Sequence, residues 1–363
     1  MTSDAISAAY EAPYAAARAW KSGGGQVVGY LGNTAPVELI EAAGAFPVML
    51  TGLPGQTTPM ADQFMEDLFD PIVRGVFEQV LRGDLQFLDA IVLPRSNDSI
   101  QRLYYYLCEL RRRGGQAPLP LLLDLQHTAS QAAADYSLAR MGELKAELEG
   151  LCGHTITETS LGEAMARFET GRARMAAFGA ARPSRGLAGS EALKAYTAWR
   201  VMPPGAFDAA LLALETGGVA PKGPKVVLAG SAQDTPDLHR LIEAAGGHVV
   251  GDYHPLGDLL VGSAAPSGLP PLEALTRRYQ FGLMSSRTFP RPPGALADFA
   301  RARDADVVIF HFWKVEEALT WDYPAERRAL AAAGVSALAF TDQPYGVDPA
   351  LGRRIAETLG AIA

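Results

Sequence analysis

The chain has 363 residues, 48% of them hydrophobic and 20% charged, with a formal net charge of -8. That length exceeds one ordinary core and sets an expectation of two domains, while the acidic balance argues against nucleic acid or an anionic membrane surface as a partner. The N-terminus MTSDAISAAYEAPYAAARAW lacks the apolar stretch of a secretory signal, and no apolar run reaches the length of a membrane span, so a cytoplasmic protein is expected.

Residues 1–24 read as one amphipathic helix, closed by a break at Gly23–Gly25. Gln26–Leu31 is β-branched and apolar, a short buried strand ending at Gly32. In the next segment Asn33 and Thr34 are candidate N-caps, and Pro36 falls in the first helical turn, where its missing N–H costs nothing. Glu38 suits the positive helix end. Val37, Ile40 and Ala43 recur at helical spacing, Gly44 is a fitting stop, and Phe46–Leu50 resumes as a strand. This strand–loop–helix–strand unit is the building block of an α/β layer. Its loop lies at the carboxyl end of the strand, where open sheets bind ligands.

Gly52–Met60 is a Gly/Pro/Thr loop, and residues 61–83 read as helix with a break and restart at Asp70-Pro71. Leu88–Pro94 is a third strand. It runs through Arg95-Ser96-Asn97-Asp98-Ser99 into the helix IQRLYYYLCELRRRG, and Leu119–Leu125 is a fourth strand. Crossovers of this length permit parallel pairing and a doubly wound sheet. From Ser130 to about Glu215 the periodicity is helical, with Thr157 and Ser160 as N-caps and Glu163 completing a capping box with Ser160. Gly217–Gly223 breaks that pattern. Alternation returns with Lys225–Gly230, the helix DLHRLIEAAGG and His248–Tyr253. A Pro/Gly-rich insert, Ala305–His311, a helix around Ala325–Ala333, Val335–Thr341 and a terminal helix follow. The expected fold class is α/β, with parallel-sheet domains over residues 1–130 and 221–363 joined by a helical segment over 131–220.

In this order along the chain, GYLGNTAPVELIEAAGAFPVML, FDPIVRG, LDAIVLPRSNDSIQRLY, LEGLCGHTITETSLGEAMARFE, KVVLAGS, AGGHVVGDY, ADVVIFHFW and GVSALAFTDQ with GRRIAETL resemble the 2-hydroxyacyl-CoA dehydratase / benzoyl-CoA reductase family, in its cluster-bearing subunits. The resemblance covers nearly the whole chain from about Gly25. It implies two flavodoxin- or Rossmann-like domains with helices between them, and pairing with a homologous, cysteine-bearing subunit or with itself. It also implies a [4Fe-4S] cluster held by cysteines, an ATP-dependent activator that delivers an electron, and a CoA thioester as substrate. The reaction implied is loss of water from a 2-hydroxyacyl-CoA or reduction of an aromatic acyl-CoA. The protein's share in such chemistry is to hold the cluster and place the thioester.

The ligands of that cluster are where this sequence departs from the family. The first cysteine belongs in the loop that here reads Gly32-Asn33-Thr34, the second at Asp70 of Asp70-Pro71-Ile72-Val73-Arg74, and the third at Asn97 of Pro94-Arg95-Ser96-Asn97-Asp98. Glycine, carboxylate and amide do not replace thiolates. Cys108 and Cys152 have no neighbour at metal-ligand spacing and read as buried inert thiols. No cluster bound by this chain is therefore expected.

The expected substrate pocket is polar, lies between the domains, and gathers Gly32, Asn33, Glu38, Asp70, Ser96, Asn97 and Asp98. His127, at the end of the fourth strand, and Arg287, in MSSRTFP, are further candidates. The alternative for these loops is packing alone, with Asn97 and Asp98 capping the following helix. His127, His254 and His311 read as hydrogen-bonded structure rather than metal ligands. Asp70, Asn97 and Asp98 could offer oxygens to Mg²⁺, but a solvated polar turn is the preferred reading. Arg74, Arg95 and Arg102 are candidates for CoA phosphates or plain surface, and Gly230-Ser231 for a weak phosphate loop. Tyr104-Tyr105-Tyr106 cannot all face one way on a helix, and Phe312-Trp313 suit an interface, a pocket wall or core. The functional expectation is a cluster-less subunit that helps form an acyl-CoA site. The alternatives are a non-catalytic binding or scaffolding homologue, and a different enzyme reusing the cleft.

Overall fold

The strand Val27–Tyr30 (β1) is buried at every position, as a strand covered on both faces must be. It pairs in parallel with Phe46–Met49 (β2) and Ala90–Pro94 (β3), and Leu119–Leu123 (β4) completes a sheet of order β2-β1-β3-β4. Lys225–Gly230 (β5), His248–Tyr253 (β6), Val307–Trp313 (β7) and Ser336–Gln343 (β8) form a second all-parallel sheet with the matching order β6-β5-β7-β8. This is the expected α/β architecture. The computed structural model describes residues 3–214, 222–285, 288 and 294–362. The expected break at Gly217–Gly223 falls largely outside them, and Arg287 lies wholly outside them. No helix among the described residues is long and apolar enough to cross a membrane.

Several helices differ from expectation for local reasons. The helix expected over residues 1–24 is two, Ser3–Glu11 (α1) and Ala15–Ser22 (α2), divided at Pro13, which has no N–H and disfavours helical backbone before it. Val37–Ala42 (α3) starts after Pro36 rather than at Asn33 or Thr34, because the proline restricts Ala35 in the same way. Residues 61–83 yield a single 3₁₀ turn at Ala61–Gln63 and then Pro71–Arg82 (α4), with Asp70 as its N-cap. Asp98–Arg112 (α5) is capped by Asn97.

The helical segment comprises Gln131–Cys152 (α6), Glu158–Ala181 (α7), Gly189–Val201 (α8) and Pro204–Leu214 (α9). The capping box of α7 pairs Thr157 with Ser160, one turn earlier than the expected Ser160–Glu163 box. The second half adds Asp237–Ala244 (α10), Pro271–Phe281 (α11), Ala295–Ala302 (α12), Ala318–Ala332 (α13) and Leu351–Ile362 (α14). Both α11 and α12 arise within the segment that composition marked only as a Pro/Gly-rich insert.

The segments interlock. One face of the first sheet buries Leu39 and Ile40 of α3, Met141 and Leu144 of α6, Leu161 of α7, and also Leu275 and Tyr279 of α11. A helix from the second half thus completes the core of the first. Ile6 of α1 is buried with Phe178, Tyr196 and Phe207 of the helical segment.

Candidate functional site

In each sheet the chain reverses direction of winding between the first strand and its neighbour, β1/β3 in one and β5/β7 in the other. Such a switch point opens a crevice outside the carboxyl ends of the strands. The two crevices face one another across a single cavity of about 130 Å³. Gly32 and Asn33, after β1, and Ser96 and Asn97, after β3, form one wall together with Asp70. Gly230, Asp234, Phe312 and Trp313 form the opposite wall, and Arg200 reaches in from α8. Gly32 has φ +70° and Gly230 φ +102°, left-handed backbone that lets each first strand turn sharply into the cleft. At Gly230 a Cβ would also lie 2.5 Å from the His311 carbonyl oxygen, so no larger residue fits.

Asp70, Ser96 and Asn97, distant in sequence, meet here. The Asp70 carboxylate accepts from the Ile72 and Val73 N–H groups at 2.9 and 3.3 Å, and its second oxygen accepts from the Asn97 amide at 3.2 Å. Asn97 in turn accepts from the Ile100 N–H at 2.8 Å. Both residues therefore cap a helix and face the cavity. Burial pushes the Asp70 carboxyl up, partly offset by the two backbone donors and the Asn97 amide. Across the cavity Asp234 accepts from the Tyr345 hydroxyl, and burial raises its carboxyl to about 6 despite that bond. Asn33 donates to the Met284 carbonyl at 3.0 Å, tying the first loop to the second half.

The other candidates lie elsewhere. Glu38 is not on this wall. It is fully buried behind the loop, with Arg172 Nη1 at 2.6 Å and the Tyr279 hydroxyl at 2.7 Å, because α3 turns its first face into the core rather than toward the opening. Asp98 is exposed and does not line this cavity, but it lies on an adjoining groove that Asp70, Ser96 and Asn97 also line, with Arg102 and Glu317. His127 Nδ1 lies 2.6 Å from the Gln280 carbonyl, in a separate small crevice that also touches Ser96. Phe312 and Trp313 are buried and so belong to the pocket wall rather than to an interface, and Trp313 stacks edge-on against Tyr345. Of the three consecutive tyrosines Tyr105 is exposed, whereas Tyr106 packs on Phe69 and Phe77. Cys108 and Cys152 are free and half-buried rather than fully buried, neither lines the cavity, and burial raises the Cys152 thiol.

Sequence reasoning missed Arg200, Asp234 and Tyr345. Asp234 was findable, since it follows the first strand of the second sheet much as Asn33 follows that of the first. Arg200, in TAWRVM, stands out only as a charge in an apolar stretch.

The described donors of the cavity are carboxylate, amide, hydroxyl and guanidinium groups, with no thiolate or imidazole. They do not fit an iron–sulfur cluster. Among the described residues no group of three or more His, Cys, Asp or Glu side chains converges as a metal site would require.

The Asp234 titration has a consequence for stability. The folded carboxyl keeps its proton up to about 6, whereas the unfolded chain titrates near the ordinary 3.8. Between those values the unfolded state binds fewer protons, so stability falls as pH rises from about 4 to about 6. For this half-buried group, with allowance for solvent screening, the loss is about 1–2 kcal/mol. Asp234→Asn should therefore be about 1–2 kcal/mol more stable than wild type at pH 7.5 and indistinguishable from it near pH 4. Urea denaturation at both pH values checks this, and an equal difference at the two would count against it.

The model of the family described as 2-hydroxyglutaryl-CoA dehydratase, D-component, matches residues 33–347. The chain is 25% identical over 154 residues to the beta subunit of (R)-2-hydroxyglutaryl-CoA dehydratase from Acidaminococcus fermentans, covering 42% of this chain and 40% of that protein. It is 24% identical over 151 residues to the lactoyl-CoA dehydratase beta subunit of Anaerotignum propionicum, covering 42% and 39% respectively. The matched stretch thus spans less than half the length of each of these relatives.

Proposed function

Because the chain belongs to the 2-hydroxyglutaryl-CoA dehydratase D-component family, we propose that it is a subunit of a 2-hydroxyacyl-CoA dehydratase-type complex that helps form the acyl-CoA site and holds no cluster of its own. The observation that carries this reading is that Gly32, Asn33, Asp70 and Asn97, which the resemblance sets at the family's cluster-ligand positions, line one wall of one cavity. A cavity that offers carboxylate and amide groups but no thiolate, in a mostly apolar lining, suits substrate better than metal. In this proposal a homologous, cysteine-bearing subunit supplies the [4Fe-4S] cluster, and an ATP-dependent activator reduces it. The relatives are named as subunits, which supports the existence of a partner.

This chain's own contribution is polar. The Asn97 amide and the two carboxyl groups, both raised by burial, present hydrogen-bond donors and a proton store to a thioester or its leaving hydroxyl. Phe312, Trp313 and Met284 give the acyl chain an apolar surface and exclude water.

Alanine at Asp70 or Asn97 would also remove a helix cap, costing about 1 kcal/mol, so the informative variants are Asp70→Asn and Asn97→Ser, which keep a capping oxygen. Calorimetric titration with lactoyl-CoA and 2-hydroxyglutaryl-CoA, with free CoA as control, should show each variant binding thioester roughly 10-fold or more weakly while unfolding like wild type. Equal binding by wild type and both variants, or none by any of them, would remove the acyl-CoA role and favour a scaffolding homologue.

A further inference from the structure

Five arginines are buried among the described residues, and four of them have a carboxylate within 4 Å. Arg172 and Arg278 face Glu38 at 2.6 and 3.9 Å, Arg182 faces Asp252 at 2.7 Å, and Arg303 faces Asp258 at 2.9 Å. Arg200, only 7% exposed, is the exception. Its guanidinium has two long bonds to neutral oxygens, Thr197 Oγ1 at 3.2 Å and the Leu256 carbonyl at 3.4 Å, and its Nε has no partner. A buried cation without a carboxylate in contact is expensive, and burial lowers this one to about 10, only partly offset by Tyr30 and by Asp234 at longer range.

The surroundings of Arg200 show where a counter-charge would come from. Besides the cleft, its side chain lines a second cavity of about 320 Å³ on the far side of β1. Trp20, Phe46, Phe168 and Trp199 wall that cavity, and Tyr30 lines it near Arg200. The Tyr30 hydroxyl has no protein partner among the described residues and, like Arg200, lies at the junction between this cavity and the passage to Gly32. The other charges of the cavity are already paired, Arg167 with Glu41 at 2.8 Å and Asp208 with Arg174. One positive charge with no carboxylate within 4 Å among the described residues, one free phenol and an aromatic wall match a single negative charge on an apolar body.

We propose that Arg200 and Tyr30 form a second binding site, distinct from the acyl-CoA wall, for a small organic monocarboxylate whose apolar body lies against Trp199, Phe168 and Trp20. The carboxylate accepts from the guanidinium and the phenol, geometry for which charge-assisted bonds are the strong ones. Phenylacetate is the probe, and phenylacetamide, alike in shape but uncharged, is its control. Both are titrated into the full chain by calorimetry and by tryptophan fluorescence, since Trp20 and Trp199 lie on the wall. Phenylacetate should saturate, the amide should bind roughly 10-fold or more weakly, and Arg200→Gln should abolish that discrimination. Tyr30→Phe, which deletes one oxygen and little volume, should weaken phenylacetate by about 3- to 10-fold and provides a readout if Arg200→Gln does not fold. No saturable phenylacetate binding, equal affinity of wild type for acid and amide, or unchanged phenylacetate affinity in folded Arg200→Gln overturns the site. None of these measurements depends on acyl-CoA binding.

Discussion

Glu38→Ala is expected to destabilise the chain by about 3–5 kcal/mol, the range for breaking a buried ion pair from one side. Glu38 is fully buried, with Arg172 Nη1 at 2.6 Å, the Tyr279 hydroxyl at 2.7 Å and Arg278 Nε at 3.9 Å. Removing its carboxylate takes from Arg172, itself only 5% exposed, its buried counter-charge, leaving it the 44% exposed side chain of Glu169 at 3.0 Å, and leaves a buried phenol without its acceptor. Three elements meet at this one side chain: α3 of the first sheet, α7 of the helical segment and α11 of the insert. The loss should therefore reach well beyond α3. Urea denaturation of Glu38→Ala, and of Glu38→Leu combined with Arg172→Met, would measure it. The double variant should recover the share of the loss that comes from the Arg172 cation, because apolar residues of similar volume satisfy one another, while the Tyr279 phenol still lacks its acceptor. A single-variant loss below about 1 kcal/mol would refute the account.

Arg182→Met should be of the same size, about 3–5 kcal/mol at pH 7, and should carry a pH signature. Arg182 is fully buried, with Asp252 at 2.7 Å and the Val249 carbonyl at 3.1 Å. Burial alone would raise the Asp252 carboxyl, but Arg182 and His239 hold it well below the ordinary value. In wild type Asp252 thus contributes stability that is present above the unfolded value near 3.8 and is lost only as pH falls through its lower folded value. In Arg182→Met the same carboxyl keeps the burial and loses its main counter-charge. Its folded value rises, and the variant is penalised as pH climbs above about 4. The gap between variant and wild type should be widest at neutral pH and should narrow below about pH 4. Equal gaps at pH 7 and pH 4 would show that packing, not charge, is what the substitution removed.

These two clusters mark the boundary of what the sequence discloses. The strands were legible because each is a short apolar run between turn residues, and the cavity wall because Gly32, Ser96 and Asn97 follow strands of a parallel sheet, whose carboxyl ends must gather. Asp70 could be placed as a helix start from its proline. Glu38 was misplaced for the same reason that the others were right. A carboxylate in a first turn reads as a favourable helix end, and nothing within ten residues reveals Arg172 or Tyr279, which are supplied from more than 130 residues away. The helices α11 and α12 were hidden by flanking prolines and glycines that a local reading takes for loop. Arg200 shows the same limit, since only the folded neighbourhood distinguishes it from the four buried arginines that found a carboxylate.

The placement of α11 also constrains how the polypeptide can be made. Leu275 and Tyr279 complete a core whose first strand begins at Val27, so about 250 residues separate the start of that core from its last component. At about 5–20 residues per second, a ribosome needs roughly 10–50 s to span them. During that interval the nascent first half carries an open apolar face and the Glu38 carboxylate without its tyrosine. The amino-terminal sheet is therefore translated first but finished late, and a chain truncated before Pro271 would leave it permanently unsealed.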